Sequence, residues 1–338
     1  MAFSNSSLVA SIQPTDLLTT DQSHIQDGHT ERLIRAITIG VISLIGIPGN
    51  GLIIFAVFIS RRLRTSTNIF VANLAFSDLV TCLVIPFNSI ALLHDTWPFP
   101  ESVCKLVGAL TFIMIAASII NFALIAFNRY YLITRPRKLY DQLYSQRKIA
   151  LMILFSWLYV ILVVYVPPAC GIGKIGYSQR YHVCTTETEH SEAIYYNIIR
   201  GVLIQLFFVT FVLVCYALIF RYVRNITKTS LSSFNKTDQM QRQLQKRQIK
   251  VTKNLFYTVC FYMFCFLPYG IACVIPNGHV AVPSTSLIGL LSSCVNPFIY
   301  GLSHPQFKDV VKSILSCKFR HIEGTSSFLR KGDVLEWE

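Results

Sequence analysis

The sequence predicts an all-α membrane protein: a bundle of seven transmembrane helices, N-terminus outside, with a short amphipathic eighth helix along the inner face. Three observations carry this expectation. Of 338 residues, 53% are hydrophobic and only 14% charged, too few charges to clothe a water-facing surface, where about a quarter is usual. Seven apolar runs follow one another, each of about 22 to 28 residues, enough to cross about 30 Å of hydrocarbon with some tilt. The basic residues, finally, collect in alternate connections.

The runs are Leu33–Ile59, Asn68–Leu93, Cys104–Tyr130, Ile149–Cys170, Ala193–Phe220, Val251–Pro276 and Val280–Leu302. They divide the chain into an outer tail (1–32), the bundle (33–303), the amphipathic helix (304–317) and an inner tail (318–338). Between the first two runs lie Arg61, Arg62 and Arg64, and between the third and fourth Arg135, Arg137, Lys138, Arg147 and Lys148. The fifth connection adds Arg221, Arg224, Lys228, Arg242, Lys246, Arg247 and Lys250, whereas the opposite connections mix both signs. Excess Lys and Arg stays cytoplasmic, which puts the N-terminus outside. The net charge of +13 is therefore a topology signal rather than a mark of nucleic-acid binding, and it suits an inner face in contact with anionic lipid.

Residues 1–32 show no basic leader followed by an apolar stretch, so no cleavable signal peptide is expected. Asn5-Ser6-Ser7 is a sequon for outer-side glycosylation. His304–Cys317 sets Phe307, Val310, Val311 and Ile314 on one helical face, with Lys308 and Lys312 elsewhere, as an interfacial helix requires. Cys317 at its end is a candidate palmitoylation site. Ser230, Ser232, Ser233, Ser326 and Ser327 are candidate phosphorylation sites.

Polar residues inside the spans carry the most information, because hydrocarbon makes them costly. Asp78 is the one carboxylate deep within any span. Ionised and unpaired at the bilayer centre it would cost about 2.5–3.5 kcal/mol, so it faces the bundle interior, is protonated, or binds a cation. Asn50, Ser118, Asn121, Ser292 and Asn296 fall at similar depths, as a shared cavity or a hydrogen-bonded polar core would place them. Arg129 ends the third span, about 37 Å at helical rise from Cys104 at its outer end. Cys104 has two outer candidates as partner, Cys184 and Cys170. Pro86, Pro268 and Pro297 each remove a backbone donor and permit a kink. Asn296 is placed to satisfy groups freed by Pro297.

Taken in order, these positions resemble the rhodopsin-like G-protein-coupled receptors over roughly Pro48 to Cys317. Gly49-Asn50 resembles the helix-one signature, and Asn73-Leu74-Ala75-Phe76-Ser77-Asp78 the helix-two motif. Trp97 resembles the tryptophan of the first outer loop, and Trp157 that of helix four. Asn128-Arg129-Tyr130 resembles the Asp-Arg-Tyr motif with Asn for Asp, and Phe266-Leu267-Pro268 the helix-six motif with Phe for Trp. Asn296-Pro297-Phe298-Ile299-Tyr300 matches the helix-seven motif in full. Within the family the motifs are most similar to melatonin receptors and the orphan and invertebrate receptors near them. Asn68-Ile69-Phe70-Val71, Tyr140-Asp141-Gln142-Leu143-Tyr144-Ser145 and Ile299-Tyr300-Gly301-Leu302 carry that likeness. It stops short of melatonin itself: Ile204 and Pro167 stand where melatonin receptors place a helix-five His and a helix-four Asn. Phe208 replaces the usual helix-five proline.

The resemblance implies a disulfide between Cys104 and Cys184, and a resting-state sodium site at Asp78, Ser118, Ser292 and Asn296. It implies a ligand cavity at Thr111, Ile115, Phe266, Tyr269, Ser286 and Leu290. Arg200, two turns into span five, is a further candidate there, as a partner for an anionic ligand group. Activation would pass through Asn128, Arg129, Tyr130, Tyr216, Phe266, Pro268, Asn296, Pro297 and Tyr300 to a heterotrimeric G protein, with arrestin and a receptor kinase as further partners. Kinship with melatonin-type receptors implies the inhibitory G-protein class. Asn128, and Gln248 where many relatives carry an acidic partner, imply a weakly restrained Arg129 and raised basal activity.

Other ligand chemistries are disfavoured by the sequence. Residues 278–302 hold no lysine for a retinal Schiff base, and Thr111 stands where amine receptors place Asp. The alternative is a seven-helix transporter or channel, against which stand the lack of an internal repeat and of a second intramembrane carboxylate. All eight histidines lie in tails, loops or span ends, so no catalytic constellation is assigned.

Overall fold

The computed structural model describes residues 14–94, 96–187, 190–229, 236–275, 278–303 and 305–316. Asn5, Cys317 and the five candidate phosphorylation serines lie outside these. Hydrocarbon offers no partner to a bare backbone N–H or C=O, so a spanning segment must be helical. Among the described residues, seven helices are long and apolar enough to cross a membrane, including Ser66–His94, Glu101–Thr134 and Gln248–Ala272. The first, α1 (Pro14–Ile59), extends on its outer side well beyond the expected boundary at Leu33.

Span two opens with Thr65 as N-cap, its Oγ1 accepting the Asn68 N–H at 3.3 Å. It is divided by Pro86 into α2 (Ser66–Val84) and α3 (Pro86–His94), as the proline foretold. Span three is α4 (Glu101–Thr134), followed on the inner side by a short helix, α5 (Arg137–Leu143). Span four is α6 (Gln146–Ala169). Span five comprises α7 (Ala193–Arg200), a π-helical turn (Gly201–Leu206) and α8 (Phe207–Thr229). Span six is the inner-extended α9 (Lys236–Ala272), and span seven α10 (Val282–Ser303). The amphipathic α11 (Pro305–Leu315) buries Phe307 and Val310, with Val311 and Ile314 half-buried and Lys308 exposed, as its pattern required.

Burial orders the bundle. The apolar window of span three is 72% buried and that of span four 22%, so α4 is the axial helix and α6 a peripheral one. Leu44, Phe58, Phe155 and Phe264 all point outward and exposed. Side chains of that kind on every flank would be an aggregation hazard in water and are the expected surface in lipid.

The outer side carries an element that the sequence reading did not foresee, which qualifies the all-α expectation. Strands β1 (Ile175–Ser178) and β2 (Val183–Thr186) form an antiparallel hairpin pairing Ile175 with Thr186. The Cys104–Cys184 disulfide ties it to α4 with the Cα atoms 5.2 Å apart, while Cys170 is free and exposed. That settles the choice between the two cysteines. Asn88 Oδ1 accepts the Cys184 N–H at 2.9 Å, and Arg35 donates to the Tyr181 carbonyl at 3.0 Å. Outside the bilayer, Lys174 reaches Glu187 at 3.0 Å, and that carboxylate holds its ammonium above the ordinary lysine range. The hairpin is thus a roof moored to α1, α3 and α4.

Spans one and seven meet closely. A Cβ on Gly49 would stand 3.0 Å from Pro297 Cγ, and one on Gly46 would stand within overlap of Cys82 Sγ. Pro297 has no N–H, so the Ser293 carbonyl one turn earlier lacks its helical donor. Asn50 supplies one, Nδ2 to O at 2.8 Å, while also donating to Gly46 at 3.0 Å. This corrects the expectation for Asn296, whose amide is engaged elsewhere. Substituting Asn50→Ala leaves the Ser293 carbonyl buried and unpaired, a cost of about 1–3 kcal/mol. The melting temperature of the purified chain in detergent is expected to fall; an unchanged value would show that the carbonyl is satisfied otherwise.

Candidate functional site

Beneath the hairpin roof lies a cavity lined by Thr111, Ile115, Phe266, Tyr269, Ser286 and Leu290. These are the six cavity residues expected from the resemblance, and α4, α9 and α10 bring them together. A second lobe opens between α4, span five and α9, and Arg200 lines it. The lobes share Phe112, Ile115, Phe266 and Tyr269 as a common wall. Arg200 is half-buried, with its guanidinium carbon 3.6 Å from the Phe112 ring centre and its Nη2 donating to Asn197 Oδ1 at 3.0 Å. Its Nη1 is buried and makes no hydrogen bond.

Below the cavity, Phe266 stacks on Tyr262 at 4.5 Å between ring centres, and Tyr262 packs on Phe122 of span three at 4.7 Å. The Tyr262 hydroxyl donates to the Ile115 carbonyl at 3.4 Å. Gln205, in the π-helical turn, donates to the Phe266 carbonyl at 3.1 Å. A Cβ on Gly270 would come within 2.7 Å of that glutamine side chain, so a larger residue there would displace the Gln205 amide from its present place. Neither Tyr262 nor Gln205 stood out in the sequence: each matters only through a partner on another helix.

At mid-depth Asp78 is 1% exposed and fully engaged. Its Oδ1 accepts from the Ser118 hydroxyl at 3.0 Å and its Oδ2 from the Asn296 amide at 2.7 Å. The buried Ser292 sends its hydroxyl instead to the Gly289 carbonyl at 2.8 Å. Beside this cluster Asn73 donates to Asn121 Oδ1 at 2.8 Å and accepts from Trp157 Nε1 at 3.3 Å, joining spans two, three and four. Carboxylate, hydroxyl and amide oxygens are the donors a hard cation takes, and Asn50 Oδ1 adds a buried oxygen with no hydrogen-bond partner. The residues present therefore fit a sodium ion.

At the inner end Arg129 is 4% exposed, and its Nη1 donates to Gln248 Oε1 of α9 at 3.0 Å. Asn128, where the family pattern has Asp, does not face Arg129's head group. It accepts from the Thr67 hydroxyl at 2.5 Å and donates to the Tyr140 hydroxyl at 3.1 Å, fastening α4 to α2 and α5. Tyr216 and Tyr300 are buried, and each hydroxyl lacks a hydrogen-bond partner. Tyr130 points to the inner surface, where Arg135 donates to its hydroxyl at 3.3 Å. Pro268 lies within α9 between two residues of the cavity wall, Phe266 and Tyr269, and Pro297 within α10.

Comparison with known proteins agrees with this arrangement. The family described as 7 transmembrane receptor (rhodopsin family) matches residues 49–300. A "Rhodopsin, GQ-coupled" of Mizuhopecten yessoensis is 29% identical over 293 residues, 81% of this chain and 58% of that protein. The chain thus spans little more than half the length of that relative. Melatonin receptor type 1B-B of Danio rerio is 28% identical over 278 residues, 79% of this chain and 77% of that one. The crystal structure of squid rhodopsin superposes with a TM-score of 0.76 over 92% of each chain at 24% identity, a likeness of fold. None of these supports a transporter or channel. With seven spans, a roofed outer cavity and a family match running from helix one to helix seven, the chain belongs to the rhodopsin family of seven-transmembrane receptors.

Proposed function

We propose that this receptor passes binding of an extracellular ligand in the roofed cavity to heterotrimeric G proteins, through movement of span six about Pro268. One observation carries the reading: cavity wall and inner latch stand on the same two helices. Ile115 and Arg129 are both on α4, and Phe266 and Gln248 both on α9. The Phe266–Tyr262–Phe122 stack connects the two levels. A ligand that prefers one packing of α4 against α9 shifts the latch by its differential affinity for the two states. Opening the latch frees Arg129, Tyr216 and Tyr300 to receive an amphipathic G-protein helix. Arrestin and a receptor kinase are proposed for the same inner face.

The latch itself is a neutral acceptor. A hydrogen bond from a guanidinium to an amide is weaker than one to a carboxylate, and Asn128 supplies no neighbouring charge. Basal activity is the consequence. The melatonin-type motifs favour the inhibitory class, while the description of the Mizuhopecten yessoensis relative as Gq-coupled makes that class the second reading. Because residues 278–302 hold no lysine, the light-dependent chemistry of retinal is not proposed for this chain, whatever its likeness to rhodopsins. Melatonin is not proposed as the ligand.

Ligand-free activation of each G-protein class in cells tests this directly, with surface expression matched across variants. Turnover through one class is expected, lost in Arg129→Ala and reduced about fivefold in Gln248→Glu, the effect of about 1 kcal/mol on a two-state ratio. Silence of the wild-type chain would reject the weak latch. Sodium, which would be held by Asp78, Ser118, Ser292 and Asn296, supplies positive charge for the buried carboxylate. The purified receptor is expected to melt higher in sodium chloride than in choline chloride at equal ionic strength, and Asp78→Asn to remove the difference. Equal melting temperatures in the wild type would reject the sodium site.

A further inference from the structure

We infer that the receptor's ligand carries a single carboxylate, bound by Arg200 in the second lobe of the cavity, on an apolar or aromatic body that extends into the first. This rests on the reading that the cavity is the ligand site and names the chemistry of what enters it. Three features of the lobe point there.

The first is the state of Arg200 itself. Its Nη2 is satisfied by Asn197, and one face of the guanidinium lies 3.6 Å over the Phe112 ring. Both contacts fix the plane of the group, and neither neutralises it. Asn197 Oδ1 is already shared with the Thr186 hydroxyl at 3.3 Å. Nη1 remains buried without a hydrogen bond, an expensive condition for a charged donor. The side chain is oriented and incompletely satisfied.

The second is the charge of the walls. Among the described residues, neither lobe is lined by an aspartate or glutamate, whereas Arg200 lines one and Arg35 the other. A cationic ligand would meet two like charges and no counter-charge. Arg35 gives one hydrogen bond to the Tyr181 carbonyl of the roof, and of the two it is Arg200 that keeps a buried donor without a partner.

The third is the company Arg200 keeps. Ala116, Ile119, Ile204 and Val274 make the rest of the lobe largely apolar, with Gln205 spending its amide N–H on the Phe266 carbonyl. One guanidinium balances one negative charge, and a dianion buried there would keep an unpaired charge in an apolar site. Phe112, Ile115, Phe266 and Tyr269 line both lobes, so the body of a molecule anchored at Arg200 lies against the ring of Phe266 that begins the helix-six aromatic stack. A monocarboxylate with an apolar tail matches each of these conditions.

The test uses the full-length receptor in nanodiscs and two matched probe series. One is 4-phenylbutyrate, 4-phenylbutyramide and 4-phenylbutylamine; the other is decanoate, decanamide and decylamine. Within a series only the head group changes, from negative to neutral to positive. At least one acid is expected to raise the melting temperature saturably, while its amide and amine do not. Arg200→Gln is expected to weaken the acid at least about tenfold, the loss of one charge-assisted hydrogen bond. Arg200→Lys, which keeps the charge, retains part of the response. Without probe, Arg200→Gln is expected to melt no lower than the wild type, because it relieves a poorly satisfied buried cation.

Equal stabilisation by an amide or amine, no response to either acid up to its solubility, or an acid response that survives Arg200→Gln would each overturn the inference. If Arg200→Gln fails to fold, the head-group series on the wild type still decides. The receptor reading fails separately. Acid binding through Arg200 with no G-protein turnover in any class counts against the receptor reading and leaves the anion site standing. Turnover that depends on Arg129, with no acid binding, removes the carboxylate alone.

Discussion

Inside hydrocarbon a polar group has no solvent to return to, so each one must be paired by the protein, and those pairings set where the helices sit. The Asn50 amide on the carbonyl freed by Pro297 fixes span one against span seven. Asp78, held by Ser118 and Asn296, joins spans two, three and seven at one point. Asn73 adds span four through Trp157. Dispersion between apolar side chains is as good with lipid as with protein, so these few directional bonds decide register where burial cannot. The close approaches at Gly46 and Gly49 follow from that registry.

Spans five and six are joined to this frame differently. Their side-chain links to the axial helix include the packing of Tyr262 on Phe122, a bond from the Tyr262 hydroxyl to the Ile115 carbonyl and a bond from Arg129 to the Gln248 amide, while Gln205 ties span five to span six. None involves a pair of opposite charges. A helix with a proline inside it, held at both levels by contacts without an ion pair, has no charged pair to break when it moves. The same helix carries Phe266 and Tyr269 of the cavity wall and Gln248 of the latch, so its movement bears on an outer and an inner site together.

Much of this was legible in the residues. Periodicity is not needed to find a span of two dozen apolar residues, and the basic connections orient it. Asp78, Arg129 and the prolines stood out because each is costly in its surroundings: Asp78 and Arg129 proved to be nodes of the network, Pro86 divides span two, and Pro297 frees the carbonyl that Asn50 takes. The hairpin roof was missed because four-residue strands inside a polar loop leave little pattern. Asn50 was seen as buried and polar, but its partner, the Ser293 carbonyl, lies 243 residues away and is a backbone atom without a signature of its own. Gln205 and Tyr262 were invisible for the same reason. Asn128 was read as a lost counter-charge; its bonds to Thr67 and Tyr140 show that the position has acquired a different, structural task.

The most direct measurement is the distance between the inner ends of spans one and six in the receptor alone and bound to a nucleotide-free G protein. Spin labels at the exposed positions Arg61 and Lys250 report it, once the exposed Cys170 and Cys260, and Cys317 in the inner segment, have been replaced. A lengthening of about 5 Å or more, the rise of one helical turn, is predicted when the G protein binds. An unchanged distance in a complex that forms would contradict the proposal that span six carries the signal.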